Sequence, residues 1–139
     1  MPVEFLKQNV LLLALVVISG TMLVWPLLRR TGAKEVSAAD ATLMINRENA
    51  LVIDVRSPAE FAAGHIPEAI NIPADKLGER AGELEKHKGR PLIVNCQSGM
   101  RSGSACGELK KLGYSHLFNL AGGLGEWQKA GMPLRKGNK

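Results

Sequence analysis

The stretch Leu92-Ile93-Val94-Asn95-Cys96-Gln97-Ser98-Gly99-Met100-Arg101-Ser102 decides the fold. Leu92 to Asn95 is a short run rich in β-branched residues and reads as a buried strand. Beyond the loop that starts at Cys96, Ala105, Cys106, Leu109 and Leu112 recur as the apolar stripe of a helix, with Gly113 as its natural C′ residue. A buried strand that bends through a short loop into a helix is the repeating unit of an α/β protein.

The same alternation continues outward. Upstream, Leu51 to Val55 reads as a second buried strand, and Ala59 to Ala63 as a single helical turn with Pro58 at its start and Gly64 as its stop. Ile70 to Ile72 makes a very short strand before Pro73. Leu77, Ala81 and Leu84 recur at i, i+4 and i+7 and predict an amphipathic helix, weakened by Gly78 and Gly82. Ser37 to Asp40 has a capping-box pattern and opens a helix through about Asn46. Downstream, Leu117 to Leu120 is a third strand, and Gly122-Gly123 turns the chain into a last short helix carrying Leu124 and Trp127. The expected fold class is α/β, a central parallel sheet flanked by helices.

The N-terminal part is a different object. From Val10 to Leu28 there is no charge. At 1.5 Å per residue this run extends about 28 Å, close to the hydrocarbon thickness of a bilayer. Pro26 falls near the end of the run, and Trp25 suits the headgroup level. A cleaved signal peptide is the competing reading. The run exceeds the usual length, however, a strong basic n-region is missing, and Arg29-Arg30 stands where small residues would be cleaved. One N-terminal transmembrane helix is therefore expected, with residues 1–30 as anchor and flanks, 31–36 as linker, 37–134 as the folded domain and 135–139 as a basic tail. Arg29, Arg30 and Lys34 after the run outweigh Lys7 before it, so the positive-inside bias puts the domain on the cytoplasmic side of a single-pass protein.

Composition narrows the function classes. The 139 residues are 45% apolar with a net charge of +5, too ordinary for a disordered chain. Two cysteines, Cys96 and Cys106, exclude a disulfide-dense scaffold and suit a reducing compartment. His65, His87 and His116 lack metal-ligand spacing, so no metal site is expected. Lys86, Lys88 and Arg90 alternate with Glu83 and Glu85 on a mixed surface, which argues against a nucleic-acid partner.

Chemistry points to Cys96. Ligands of open parallel sheets bind beyond the carboxyl ends of strands, which is where this loop lies. Successive backbone N–H groups of a tight strand-to-helix loop form an anion-binding nest, and the helix dipole adds to it. A cysteine in that cradle is favoured as the thiolate, the nucleophilic form. Gly99 permits a tight or left-handed turn, and Arg101 supplies a permanent charge for a bound anion.

Three ordered segments resemble the rhodanese (sulfurtransferase) family. They are Asp54-Val-Arg56-Ser-Pro-Ala-Glu60-Phe61-Ala-Ala-Gly64-His65-Ile66-Pro67 continuing to Pro73, Cys96-Gln-Ser-Gly99-Met-Arg101-Ser102, and Leu120-Ala-Gly122-Gly123 continuing to Pro133. The resemblance covers about Val36 to Leu134. It implies a rhodanese-like domain in which Cys96 takes the sulfane sulfur of a donor such as thiosulfate as a persulfide. A thiol, cyanide or a protein cysteine then accepts that sulfur. It implies that Gln97, Ser98, Gly99, Met100 and Arg101 cradle the persulfide, and that no cofactor is needed. A non-catalytic rhodanese-like module that tethers a partner at the membrane is the alternative. Cysteine phosphatases and arsenate reductases are the nearest rival enzymes. Those phosphatases place five residues between Cys and Arg, whereas four intervene here. Some thiosulfate-using relatives also carry a basic residue directly after the cysteine; this chain has Gln97 and Ser98, leaving Arg101 as the only charge in the loop.

The remaining residues read as support. Asp54 and Arg56 are expected to form a structural ion pair, His65 to fix a loop by hydrogen bonding, and Cys106 to be packed core. His87 and His116 are expected to be solvated, as are Arg135, Lys136 and Lys139 in the tail.

Overall fold

The computed structural model describes residues 2–28, with side chains through Trp25, and residues 33–137. The chain forms two compact units, residues 1–30 and 31–139. In the first, helix α1 (Pro2–Gln8) and helix α2 (Val10–Leu28) meet at a bend of 79°. Among the described residues no single helix is long and apolar enough to cross a membrane; the bent pair together is, by length and composition only. The single spanning helix expected from the sequence is therefore not shown by the fold itself, and Arg29 and Arg30, which carry the charge bias, lie outside the described residues.

The second unit is built on a five-stranded, all-parallel sheet. Its strands are β1 (Lys34–Val36), β2 (Leu51–Asp54), β3 (Ile70–Asn71), β4 (Leu92–Asn95) and β5 (Leu117–Leu120), in the order β1-β5-β4-β2-β3. Strands β2 and β4 occupy the middle and are buried on both faces, which is why they read as unbroken apolar runs rather than alternating ones. Alternation still sorts their side chains. Leu51, Ile53, Leu92 and Val94 pack on one face with Leu77, Leu84, Ala105 and Leu109. Val52, Ile93 and Leu120 pack on the other with Ala38, Ala41, Leu124 and Trp127. Helices α3 (Ala38–Glu48) and α7 (Gly123–Lys129) thus cover one face, and α5 (Leu77–Arg80) and α6 (Met100–Lys111) the other; α4 (Pro58–Ala63) follows β2. Each Leu or Ile removed from water in this way contributes about 1.5–3 kcal/mol.

Four local expectations change. The expected linker, residues 31–36, contains strand β1, paired with β5 in the register Val36↔Leu120. Only Val36 of its three residues is buried, so an edge strand led by Lys34 and Glu35 carries no apolar signature, and its charged edge discourages further pairing. Thr31 and Gly32 lie outside the described residues. The helix expected around Leu77 to Leu84 is broken into α5 and 3-10 turns at Ala74–Lys76 and Ala81–His87. Leu77, Ala81 and Leu84 are nevertheless all buried, and the spacing of three between Ala81 and Leu84 fits the tighter turn. Leu112, placed on the buried stripe, is 45% exposed, because α6 ends at Lys111 and the chain turns at Gly113 with φ 99°. The tail is not wholly solvated: Arg135 exchanges backbone hydrogen bonds with His65 at 2.9 and 2.8 Å, and the Gly137 N–H donates to Ala62 O at 2.9 Å. Lys139 lies outside the described residues. Helix α3 starts as expected, with Ser37 Oγ accepting from the Asp40 N–H at 3.1 Å, and runs two residues past Asn46 to Glu48.

Candidate active site

Cys96 follows the last residue of β4, and the loop after it is held from three sides. The Cys96 carbonyl accepts from the Leu124 N–H at 2.8 Å and the Gln97 carbonyl from the Gly125 N–H at 3.1 Å, so the start of α7 docks on the loop. Gly123 (φ 58°) is packed so closely there that a Cβ would collide with the Cys96 carbonyl oxygen and lie 2.8 Å from the Gln97 carbonyl carbon. Gly99 takes φ 95°, the left-handed turn its type permits, and its carbonyl accepts from Asn119 Nδ2 at 3.2 Å.

These constraints converge on the sulfur. The Gly99 N–H donates to Cys96 Sγ at 3.0 Å, and the Cys96 thiol donates to Ser102 Oγ at 3.3 Å. Ser102 in turn donates to Asn119 Oδ1 at 2.5 Å. Cys96, Ser102, Asn119 and Gly99 therefore close a ring of hydrogen bonds in which Ser102 is fully buried and Asn119 nearly so. Burial pushes the Cys96 thiol up, but the Ser102 hydroxyl and the backbone N–H groups of Ser102, Ser98 and Gly99 outweigh it, so its pKa lies below the ordinary thiol value. Gln97, Ser98 and Met100 are exposed, whereas Cys96 itself is fully buried.

Arg101 occupies a different position from the one its charge suggested. Its guanidinium grips Glu60 of α4 with two hydrogen bonds, Nη1–Oε1 at 3.0 Å and Nη2–Oε2 at 3.1 Å. The guanidinium holds the Glu60 carboxyl down at about 2. Glu60 also completes a capping box with Ser57, whose Oγ accepts from the Glu60 N–H at 3.2 Å.

The supporting residues stand where expected, and their structural reading is visible in the contacts. Asp54 and Arg56 form a buried pair (Nη2–Oδ2 2.8 Å, Nε–Oδ1 3.0 Å), and Arg56 also donates to Gly64 O at 2.6 Å. Asn71 Nδ2 donates to both the Asp54 and Arg56 carbonyls at 3.0 Å. His65 stacks on Phe61 with ring centroids 3.7 Å apart, and its Nδ1 bonds the Phe61 carbonyl at 2.8 Å. Cys106 lies in the core, and burial pushes its thiol up to about 12. His116 is exposed, but His87 is only half-buried and its Nδ1 meets Arg90 Nη1 at 3.1 Å. Among the described residues no group of three His, Cys, Asp or Glu side chains is placed to hold a metal ion.

Sequence reasoning missed three contributors, Glu60, Ser102 and Asn119. Ser57-Pro-Ala-Glu60 is a legible capping box, but Glu60's partner lies 41 positions away. Asn119 carried a usable signal, a polar residue inside the apolar strand Leu117 to Leu120. Ser102 carried only its place in the first turn of α6.

A model of the rhodanese-like domain family matches residues 37–130. The chain belongs to the rhodanese family. Relatives of this chain include the uncharacterized protein YibN of Escherichia coli K12, 38% identical over 105 residues that make up 75% of this chain and 73% of YibN. A protein of Allochromatium vinosum named sulfurtransferase is 37% identical over 91 residues, 66% of this chain and 83% of its own. Among solved structures, a rhodanese-related protein from Thermoplasma volcanium superposes with a TM-score of 0.67 at 33% identity, covering 73% of this chain and 97% of that one.

Proposed function

We propose that the protein is a sulfurtransferase that works through a persulfide on Cys96. The carrying observation is the sulfur's environment: the Gly99 N–H at 3.0 Å and the Ser102 hydroxyl at 3.3 Å, with the thiol pKa lowered. Cys96 thiolate attacks the outer sulfur of a donor such as thiosulfate. The donor S–S bond breaks, sulfite leaves with the bonding pair, and Cys96–S–S⁻ remains. The N–H groups that held the thiolate face the longer anion. A thiolate or cyanide then attacks the outer sulfur and Cys96 thiolate returns, a double displacement with ping-pong kinetics. None of these steps calls on a cofactor.

Mass spectrometry after mixing the protein with a sulfane donor tests this reading. A gain of one sulfur atom, absent in Cys96→Ser, supports it. No adduct with any sulfane donor overturns it in favour of a binding module that holds a partner.

A membrane tether belongs to the same proposal. Leu11 is 83%, Met22 73% and Leu23 76% exposed on α2. Leaving such surface in water costs about 25 cal/mol per Å². A lipid environment removes that cost, and the flanking charges favour the rhodanese domain on the cytoplasmic side. Partition of the full chain into the membrane fraction, resisting carbonate wash, is the expected result; recovery in the soluble fraction overturns the tether.

A further inference from the structure

The sole cation of the loop that carries Cys96 is already neutralised. Arg101 spends both ends of its guanidinium fork on Glu60, at 3.0 and 3.1 Å. Glu60 is no loose counter-ion. Its Oε1 also accepts from Ser57 Oγ at 3.2 Å and the Ser57 N–H at 3.4 Å, so the carboxylate is anchored to the start of α4 as well as to Arg101. A carboxylate with so many donors stays ionised at any physiological pH, in keeping with a pKa of about 2. The end of the cysteine loop thus presents one positive and one negative group locked together, near enough for the Cys96 sulfur to feel Arg101's charge. A dianion arriving there must break a two-pronged pair to gain Arg101, and meets Glu60's charge if it does not.

The space beside that pair points the same way. An open cleft of about 740 Å³ runs from Arg101 past Ser57, Pro58, Val55, Pro73 and Ala74. It is far larger than an inorganic oxyanion, and falls in the range of sites that take organic ligands. Arg80 is itself paired with Glu83 at 2.7 Å, but Lys76, Asp75 and Glu79 also line the cleft and give it both signs of charge, suited to a zwitterion.

We propose that Glu60 is the specificity-determining residue of this site: by holding Arg101 it disfavours thiosulfate and leaves the site to persulfides of small zwitterionic thiols. The inference rests on the sulfurtransferase reading above. With such a donor, R–S–SH, Cys96 thiolate bonds to the outer sulfur. The R–S to sulfur bond breaks and R–S⁻ leaves with the electron pair. The transferred sulfur keeps its proton or releases it to solvent. No oxidant or reductant is needed.

The test follows Cys96 persulfide formation by mass spectrometry in the full-length protein, with thiosulfate or cysteine persulfide as donor over a range of concentrations. Glu60→Gln preserves the capping-box geometry, because glutamine serves at that position, while it removes the charge. The expected result is a thiosulfate half-saturation concentration lowered about 3–10-fold with the maximal rate changed less than about twofold, as for a ground-state binding change. Cysteine persulfide should shift by less than thiosulfate, because its ammonium offsets its carboxylate. The gain should vanish in the Glu60→Gln, Arg101→Gln double variant. Persulfide formation in the wild type with an unchanged thiosulfate response in Glu60→Gln, or an equal shift for both donors, overturns the role of Glu60 alone. Failure of the wild type to form a persulfide from either donor overturns the sulfurtransferase reading and this inference together.

Discussion

Two side chains set the charge state around the sulfur, and each makes a separate prediction. Once the Cys96 thiol ionises, the Ser102 hydroxyl turns its proton from Asn119 to the sulfur and stabilises the thiolate, so Ser102→Ala raises the cysteine pKa and moves the pH profile of persulfide formation toward higher pH. At neutral pH the rate should fall roughly 2–10-fold, the worth of one hydrogen bond, and recover as pH rises. A parallel loss at every pH would show a merely structural role. Glu60 acts on stability. Its folded pKa is depressed from the ordinary 4.5 to about 2, so its contribution is fully present above pH 4.5 and is lost as pH falls toward 2. The pair is half-exposed, so this is worth no more than about 1 kcal/mol. Acid titration of the melting temperature should show a shallower fall between pH 5 and 2 in Glu60→Gln than in the wild type.

At the scale of elements, the turn after β2 and the start of α7 carry the site. Arg56 is buried and bonded to Asp54 and Gly64, so Asp54→Ala leaves a guanidinium without its counter-charge. Chemical denaturation should register a loss of about 3–5 kcal/mol. Gly123→Ala forces a Cβ into the Cys96–Gln97 backbone at a left-handed position. It should cost at least about 1–3 kcal/mol and lower transfer activity, because relief comes only by moving the cysteine loop. The elements legible beforehand were those whose neighbours impose a pattern: β2, β4 and β5 are buried nearly throughout and announce themselves as apolar runs. Strand β1 did not, since a three-residue edge strand buries one side chain. The Leu77 to Leu84 segment revealed which residues face the core but not the pitch of its turns. Within the site, Cys96 and its loop were legible from local order along the chain. The Glu60–Arg101 pair was not, because tertiary packing alone brings those residues together.

At the scale of the whole chain, the unit of residues 31–139 has hydrophobic clusters on both faces of its own sheet. Residues 31–139 expressed alone should unfold in one cooperative transition by circular dichroism; a broad or absent transition would show that the N-terminal segment is part of the core. On the proposed sulfurtransferase reading, the second cysteine bears on how long a loaded protein lasts. Cys106 sits in the apolar packing with its thiol pushed up to about 12, so it stays a thiol at neutral pH. It cannot serve as a resolving thiol. A sulfur loaded on Cys96, or a sulfenic acid formed there by peroxide, has no exit within the chain and waits for an outside thiol, so the supply of acceptor sets how long the charged protein persists and how exposed it is to over-oxidation.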